Sequence, residues 1–442
     1  GIAAENYGSI NDCTVEPDGA DMRISSQGAD AIGAVCAVNC GNVSGSRAVK
    51  PESSGTSAMA WEVRLEGDAG IVGGIAGKNV GGRIVGSSMG DDSTVSVNYM
   101  PYVGSFSGNL TVGVVAGLNE SGSGHPGKIS HMTVSDITMS GFGNYRYMGG
   151  IVGENSDVLG AIVEACTVRN TTIEQASGSE AGNCYGGIAG NNRGELNGCI
   201  IRDITVDVQG VYTATSTSTT AEKERLSSHV GGIAGKNEES GYITGCLIES
   251  AGNGKVNTIS TKNGMAGGVT GYNKGRIELS GDAVTAALMK TETAGTGGKE
   301  KVRTVQALIR EAVKQGVKKD AQYVSWQNGT VPLNSQRYDH SEGQVSEQNS
   351  DGTSRTLKLL METNGNLGGI TAYNVGSVDY CASGNWYLNN QSEAIGVGTG
   401  GIIGMNESDE NLSFLLNQAF VGRELRNGDT NRFAGGIIGN QN

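Results

Sequence analysis

The sequence predicts an all-β fold, a parallel β-helix (β-solenoid) of about ten coils with protruding loops. Three observations predict it: a seven-residue word that recurs, a shorter motif behind it, and a composition rich in glycine. The word is Gly-Gly-Ile-Ala-Gly-Lys-Asn at residues 73–79, and it returns with conservative changes. Its copies begin at Gly33, Gly73, Gly113, Gly149, Gly186, Gly231, Gly267, Gly368, Gly400 and Gly435. A word repeated at this spacing is typical of a stacked-repeat architecture.

The second motif, Gly-x-(Ile/Val)-x-x-(Cys/Ser/Met), follows most copies of the word, as at Gly8–Cys13 and Gly241–Cys246. One unit therefore contains a short apolar strand, an asparagine turn, a second strand and a variable segment that leads to the next word. Asparagine tolerates left-handed backbone better than most residues, so the asparagine of the word is expected to form that turn.

Composition favours strands over helices as the repeated element. Glycine accounts for 73 of 442 residues, which is unfavourable inside helices, and its spacing lacks the strict triplet of collagen. Stacked copies would place equivalent residues about 4.8 Å apart. One internal apolar ladder is expected from Ile75, Val115, Ile151, Ile188, Ile233 and Val269. About 36 residues per copy exceed what one coil needs, so each copy is one coil with large loops or two smaller coils.

The repeats divide the chain into three parts. Residues 1–280 and 367–442 are predicted to be solenoid, and residues 281–366 an insertion or flanking subdomain with a helix near 299–319. That helix either packs on the solenoid or binds a partner. A polar stretch at 213–220 is expected within a long protruding loop. Because both ends fall inside a repeat, the chain is expected to be a piece of a longer protein and to be monomeric by itself.

Charge and cysteine usage narrow the classes of function. A formal net charge of −13 argues against nucleic acid as a partner, and no apolar run approaches the ~20 residues of a membrane-spanning segment. Cys13, Cys199, Cys246 and Cys381 occupy the same slot of the second motif, where other copies carry Ser or Met, so buried free thiols are predicted. Cys36 and Cys40 lie close enough in sequence to pair locally.

No catalytic residue and no cofactor is predicted, because neither an HExxH pattern nor a P-loop pattern occurs. Asp136, Asn170 and Asp203 align in three successive copies and should form a column. Structural turns are the main interpretation of this column, with a calcium site or a pair of catalytic carboxylates as alternatives. Asp91, Asp92 and the run Glu407–Glu410 are expected to be surface acids.

Aromatic residues are scarce, yet two loops in adjacent copies concentrate them, and these loops should emerge side by side. A patch of tyrosine and phenylalanine on a polar rod could dock a glycan or a protein. The alternative is that the rings cover a coil or pack on one another. The candidate ligand-binding residues are Tyr99, Tyr102, Phe106, Phe142, Tyr145 and Tyr147.

The repeated words resemble the GLUG motif repeats of large bacterial surface proteins, including adhesin-like proteins and the non-catalytic region of some immunoglobulin A1 proteases. The residues that carry the resemblance are clearest at Gly186–Cys199 and Gly231–Cys246, and it covers nearly all the chain except about 281–366. It implies an extracellular or cell-surface location and a role in attachment. It assigns no catalytic residues, and the metallopeptidase signature of the protease branch is absent.

The sequence therefore predicts a non-catalytic adhesion or display stalk of a bacterial surface protein, with a host or extracellular glycan or protein as partner. A polysaccharide-active β-helix enzyme, either a lyase or a glycoside hydrolase, is the first alternative. It would need carboxylates and a basic residue on one exposed strand face. A pure spacer within a larger surface enzyme is the second alternative.

Overall fold

A computed structural model describes most of the solenoid and little of the predicted insertion. The described residues are 2–15, 23–27, 31–48, 62–66, 69–86, 96–97, 102–103, 106–139, 143–156, 160–175, 182–210, 218–250, 255–282, 346–348, 354–356, 359–383, 386–390, 397–408, 412–417, 420–422, 433–435 and 438–441.

The chain folds as a parallel β-helix, and each copy of the word makes one coil rather than two. The strand that ends each word belongs to an 11-stranded parallel sheet, which we call the asparagine sheet. Its strands mark eleven successive coils, a stack about 50 Å long. In chain order they are Ala3–Asn6, Cys36–Asn39, Ala76–Val80, Ala116–Glu120, Val152–Asn155, Ala189–Asn192, Ala234–Asn237, Thr270–Asn273, Thr371–Asn374, Ile403–Asn406 and Ile438–Gln441.

The strand before the word belongs to a second sheet of ten strands, the glycine sheet. Its strands end at the first glycine of each word, where the chain bends sharply into the asparagine sheet. They are Ala31–Gly33, Ala69–Gly73, Phe106–Gly113, Gly143–Gly149, Cys184–Gly186, His229–Gly231, Met265–Gly267, Leu367–Gly368, Gly398–Gly400 and Phe433–Gly435.

The second motif supplies the corner sheet, which has 16 strands in two parallel rows. The first row holds Ser9–Asn11, Asn42–Ser44, Arg83–Val85, Lys128–Ser130, Ile162–Glu164, Glu195–Asn197, Tyr242–Thr244 and Arg276–Glu278. The second row holds Ser96–Val97, Thr133–Ser135, Thr167–Arg169, Ile200–Arg202, Leu247–Glu249 and Gly281–Asp282. The long strand Ser377–Ser383 joins both rows, and Ser413–Asn417 pairs with it.

The return sheet, of seven strands, closes each coil. It consists of Thr138–Met139, Thr172–Gln175, Thr205–Val208, Asn257–Thr261, Leu359–Thr363, Trp386–Asn390 and Phe420–Gly422. The remaining strands form a three-stranded sheet of Arg23–Gln27, Glu62–Glu66 and Tyr102–Val103, a parallel pair Thr14–Val15 with Arg47–Ala48, and an antiparallel pair Ser346–Gln348 with Ser354–Thr356. The one helix in the described residues is Thr220–Arg225.

Like positions of successive coils lie directly over one another, as the repeated word predicts. The amide of Ile75 donates to the carbonyl of Val115 at 3.0 Å, and Val115 donates to Ile151 at 2.9 Å. The apolar side chains of this column are wholly buried and belong to one continuous core. Burying such a side chain stabilises the fold by roughly 1.5–3 kcal/mol, so the stack itself supplies the main stabilisation.

The asparagines of the word do not form left-handed turns, and the expectation that they would is wrong. Their side chains point inward and form a buried ladder in which each Nδ2 donates to the Oδ1 of the next coil. Asn79 thus donates to Asn119 at 2.7 Å and also to the carbonyl of Gly82 at 2.9 Å. Ten asparagines take part: Asn6, Asn39, Asn79, Asn119, Asn155, Asn192, Asn237, Asn273, Asn374 and Asn406.

The left-handed position is instead the residue just before the Cys/Ser/Met slot, at the bend between the two rows of the corner sheet. Gly198 and Gly245 take it with φ of 61° each, and Ala165 takes it with φ of 50°. Glycine adopts this conformation without the strain that a β-carbon brings, which explains the Gly-Cys pairs of these copies.

Close backbone approach explains two of the glycines in the word. A β-carbon on Gly73 would lie 1.8 Å from the carbonyl oxygen of Ala76, inside the bend between the glycine and asparagine sheets. A β-carbon on Gly187 would lie 2.2 Å from the carbonyl oxygen of Gly232 in the next coil. Larger residues at these columns would force the bend open or push the coils apart.

All eight cysteines are free, as predicted for most of them, and the local pair Cys36–Cys40 is not formed. The slot of the second motif is a buried corner site: Cys166, Cys199 and Cys246 are completely buried.

The predicted helix at 299–319 lies outside the described residues. The stack has resumed by Leu359–Thr363, which pairs in parallel with Asn257–Thr261, ahead of the predicted boundary at residue 367. Coils on either side of the long interruption therefore follow each other without a break in register.

Candidate functional site

The two strands that carry the predicted aromatic patch are neighbours in the glycine sheet. Phe106 pairs with Gly143, and Leu110 pairs with Tyr145, with a register shift just after each of these pairs. Tyr102 lies in the short strand Tyr102–Val103 beside Glu62–Glu66. Tyr99 and Phe142 lie outside the described residues. The backbone thus places Phe106 and Tyr145 in adjacent coils, as the prediction requires.

Tyr147 does not suit the role that the sequence predicted for it. Its side chain is only 8 % exposed, and the guanidinium of Arg146 lies 5.0 Å from its ring centre. Burial raises the pKa of Tyr147 to about 12. Tyr147 therefore packs against the coil, and little of its ring could meet a ligand.

The predicted column of Asp136, Asn170 and Asp203 exists, and its geometry matches structural turns. All three residues have positive φ, at 60°, 46° and 54°. Asn170 donates to the carboxylate of Asp136 and accepts from Lys255 at 3.0 Å. An amide and an ammonium group therefore occupy the space between the coils where a catalytic water would have to sit.

A different group of charges meets part of the requirement set for an enzyme: it brings carboxylates and a basic residue together on one sheet, but not on an exposed face. Glu278 and Asp379 are direct neighbours in the corner sheet. The hydroxyl of Tyr242 donates to Glu278 at 2.6 Å, and Arg276 forms an ion pair with it. Glu278 is, however, completely buried. Its carboxylate is sealed behind these partners, so a polysaccharide chain could not reach it in this conformation.

The most elaborate polar site lies under the helix Thr220–Arg225, which we call the clip helix. Thr219 caps it: the Thr219 hydroxyl accepts from the amide of Glu222 at 3.3 Å, and the Glu222 carboxylate accepts from the amide of Thr219 at 2.8 Å. This capping box stabilises a helix of only six residues. The Thr-x-x-Glu pattern at 219–222 is a sequence signal for the start of a helix. It was overlooked when residues 213–220 were predicted to lie within a protruding loop.

The clip helix is held against the outer face of the asparagine sheet by buried ion pairs. Lys223 contacts Glu407 at 2.7 Å, and their side chains are only 7 % and 13 % exposed. Glu224 pairs with Lys236 at 2.6 Å and with Lys274 at 3.0 Å. Glu407 is therefore not the surface acid that the sequence predicted. The helix links the coils on both sides of the long interruption.

Beneath the clip helix, aromatic rings from successive coils stack along the sheet. The rings of Tyr272 and Tyr373 are parallel, with centroids 5.2 Å apart, and Lys223 lies 5.5 Å above the ring of Tyr373. His229 packs 5.2 Å from Tyr272. Burial raises the pKa of both tyrosines, so their hydroxyls stay protonated and can donate.

His229 is the most strongly perturbed base of this site. It is 1 % exposed, and its Nδ1 lies 3.5 Å from the sulfur of Cys184 in the preceding coil. Burial, with repulsion from Lys236, lowers the pKa of His229 to about 3. Burial also raises the pKa of Cys184 to about 12. Both groups are therefore neutral at pH 7, and they form a packed polar contact instead of an activated nucleophile.

Replacing Lys223 by Ala is expected to lower the free energy of unfolding by about 2 kcal/mol, because Glu407 would stay buried without its partner. Urea unfolding at pH 7 measures the change. Lys274→Ala is the matched control: its ammonium also pairs with the clip helix, but it is one-third exposed, so a loss below about 0.5 kcal/mol is expected. Equal losses would show that the buried pair does not hold the helix.

Among the described residues, no three His, Cys, Asp or Glu side chains converge as a metal site. None of the described helices has the length and apolar composition that a membrane-spanning helix requires. Comparisons with protein-family models, with curated proteins and with solved structures found no match to this chain.

Proposed function

We propose that this chain is the non-catalytic display stalk of a bacterial surface protein, and that loops carried on its coils adhere to an extracellular glycan or protein. One observation carries the proposal: segments of very different length leave the stack at the same edge. Residues 209–228 connect the return sheet to the glycine sheet in one coil, whereas residues 262–264 make the same connection in the next. The register of the strands on either side is unchanged.

This arrangement suits multivalent binding. Coils spaced by about 4.8 Å hold neighbouring loops at constant separation. The binding free energies of weak contacts from several loops can therefore add, without an entropic cost for aligning the loops. The net charge of −13 disfavours polyanionic ligands and favours neutral or basic surfaces. The strands that carry Phe106 and Tyr145 are neighbours in the glycine sheet, so these two residues could supply such contacts from adjacent coils.

Binding to arrayed neutral glycans and matrix proteins tests the proposal. The unmodified chain is expected to bind saturably and to release no reducing sugar. The double variant Tyr102→Ala, Tyr145→Ala should weaken that binding at least fivefold, because two aromatic contacts are lost. Tyr7→Ala is the matched control, since Tyr7 is 74 % exposed on the first coil, away from these loops.

Three outcomes would contradict the proposal. Unchanged binding by a correctly folded double variant would remove the aromatic loops as the binding site. Release of reducing or unsaturated sugar ends from a polysaccharide would support the enzyme alternative instead, and binding to nothing on the arrays would favour a spacer.

A further inference from the structure

The clip helix reaches over several coils of the stack. We number the coils by the strands of the asparagine sheet in chain order, so that Ala234–Asn237 lies in coil 7 and Ile403–Asn406 in coil 10. The C-terminal end of the clip helix leads within a few residues into His229–Gly231, the glycine-sheet strand of coil 7. Its Lys223 contacts Glu407, which follows the strand of coil 10, at 2.7 Å. The clip helix with its side chains therefore spans three coil boundaries, about 14 Å.

The regular contacts of the solenoid join only adjacent coils. The asparagine ladder is an example: Asn237 of coil 7 donates to Asn273 of coil 8, and Asn374 of coil 9 donates to Asn406 of coil 10, each at 2.8 Å. A stack held by such contacts alone can open from its end one coil at a time, because each coil depends only on its neighbours. The contact of Lys223 with Glu407 is of another kind, since it joins residues 184 positions apart in sequence.

This contact ties the coils beyond the long interruption to those before it. The clip helix is joined covalently to coil 7, Glu224 pairs with Lys274 in coil 8, and Lys223 donates to the hydroxyl of Tyr373 in coil 9 at 3.3 Å. Coil 10 cannot leave coil 9 without separating Glu407 from Lys223, and both of these charges are largely buried. Separating a buried ion pair is costly, so that cost is added to the opening of coil 10.

We propose that the clip helix is a strap that makes coils 7 to 10 open as one cooperative unit. It thereby holds the coils that follow the long interruption onto the rest of the stack. The inference does not depend on the proposed display function.

Hydrogen exchange at two coil boundaries reports whether the strap acts in this way. The amide of Val269 in coil 8 donates to Ile370 at 2.9 Å, and the amide of Ile370 in coil 9 donates to Ile402 at 2.8 Å. The amide of Val115 donates to Ile151 at 2.9 Å in coils that the strap does not reach. Exchange of such amides measures the free energy of opening, and its urea dependence measures how much surface opens. In the unmodified chain, Val269 and Ile370 should exchange at similar rates with the same urea dependence.

Two variants remove the strap in different ways. The strapless variant replaces residues 209–228 by Lys-Asn-Gly, the sequence that makes the same connection at 262–264; Val208 and His229 are in register with Thr261 and Met265, so the strands stay in place. The double variant Lys223→Met, Glu407→Gln keeps the clip helix and leaves no unpaired charge buried.

In both variants the amide of Ile370 should exchange on the order of tenfold faster or more, with a weaker urea dependence than that of Val269, because coil 10 can then open alone. The amide of Val115 should change by less than about twofold. Lys274→Met is the matched control: its ammonium also pairs with the clip helix but belongs to coil 8 and is one-third exposed, so Ile370 should change by less than about twofold.

Three results would overturn the strap. The first is unchanged exchange of Ile370 in the double variant with native circular dichroism, which decides the question even if the strapless variant does not fold. The second is faster exchange confined to Ile188 and Ile233 in coils 6 and 7. The third is an unmodified chain in which Ile370 already exchanges ahead of Val269 with a weaker urea dependence.

Discussion

Replacing Asn192 by Ala is expected to lower the free energy of unfolding by about 4 kcal/mol. Asn192 accepts from Asn155 at 2.9 Å and donates to Asn237 at 2.8 Å, and all three side chains are wholly buried. Alanine would remove the acceptor of one Asn155 N–H and the donor to the Asn237 Oδ1, at about 1–3 kcal/mol each, and would open a cavity between them. Urea unfolding monitored by circular dichroism at pH 7 measures the change.

Asn197→Ala provides the comparison for this variant. Asn197 lies in the same coil but is only partly buried, and its amide reaches the nearby carboxylate of Glu195 at 3.1 Å. Its loss should therefore cost less than about 1 kcal/mol. A loss of less than 1 kcal/mol for Asn192→Ala would mean that the ladder contributes little net stability.

Lowering the pH from 7 to 4.5 is expected to destabilise the chain through His229 by about 2.5 kcal/mol. The folded state holds the pKa of His229 near 3, below the ordinary value of 6.5 that applies when the chain is unfolded. Below pH 6.5 the His229 imidazole is protonated in the unfolded chain but stays neutral in the folded chain. The contribution of neutral His229 is therefore complete above pH 6.5 and is lost progressively as the pH falls toward 3.

His229→Met isolates this contribution, because Met265 occupies the same column in the next coil and shows that methionine fits there. The variant should lose about 2.5 kcal/mol less stability than the unmodified chain between pH 7 and 4.5, by urea unfolding at both values. His125→Gln, at an exposed histidine, should behave like the unmodified chain. Parallel pH profiles for His229→Met and the unmodified chain would show that His229 titrates normally in the folded state.

The two predictions above concern Asn192 and His229. The sequence shows these residues but does not reveal their roles. Asparagine at the end of each word was assigned to a left-handed turn on local preference. Side-chain amides also form ladders when identical positions stack. In this fold the ladder is adopted instead of the turn because it pairs a buried donor with a buried acceptor in every coil. The turn was taken instead by the residue before the cysteine slot, such as Gly198.

The outer face under the clip helix was the least predictable part of the molecule. Lys223 and Glu407 form a buried pair although they are far apart in sequence, and no local pattern relates them. His229 was one of four scattered histidines, and its burial against Tyr272 and Cys184 could not be predicted from its place in the sequence. Contacts of this kind depend on how a loop of irregular length folds back over the stack.

Periodicity alone was enough for the parallel register, the buried apolar column and the free cysteines of the second motif, because a repeated word imposes the same local geometry at every step and each coil can only bury its face against the next. The sequence left open whether each copy forms one coil or two, and the structure shows one. The tertiary structure decided which outward-facing side chains of the strands are covered by other segments of the chain. Segments between the words do not repeat, so their contacts, and with them the buried charges of Lys223 and the neutral state of His229, follow from long-range packing that no single unit encodes.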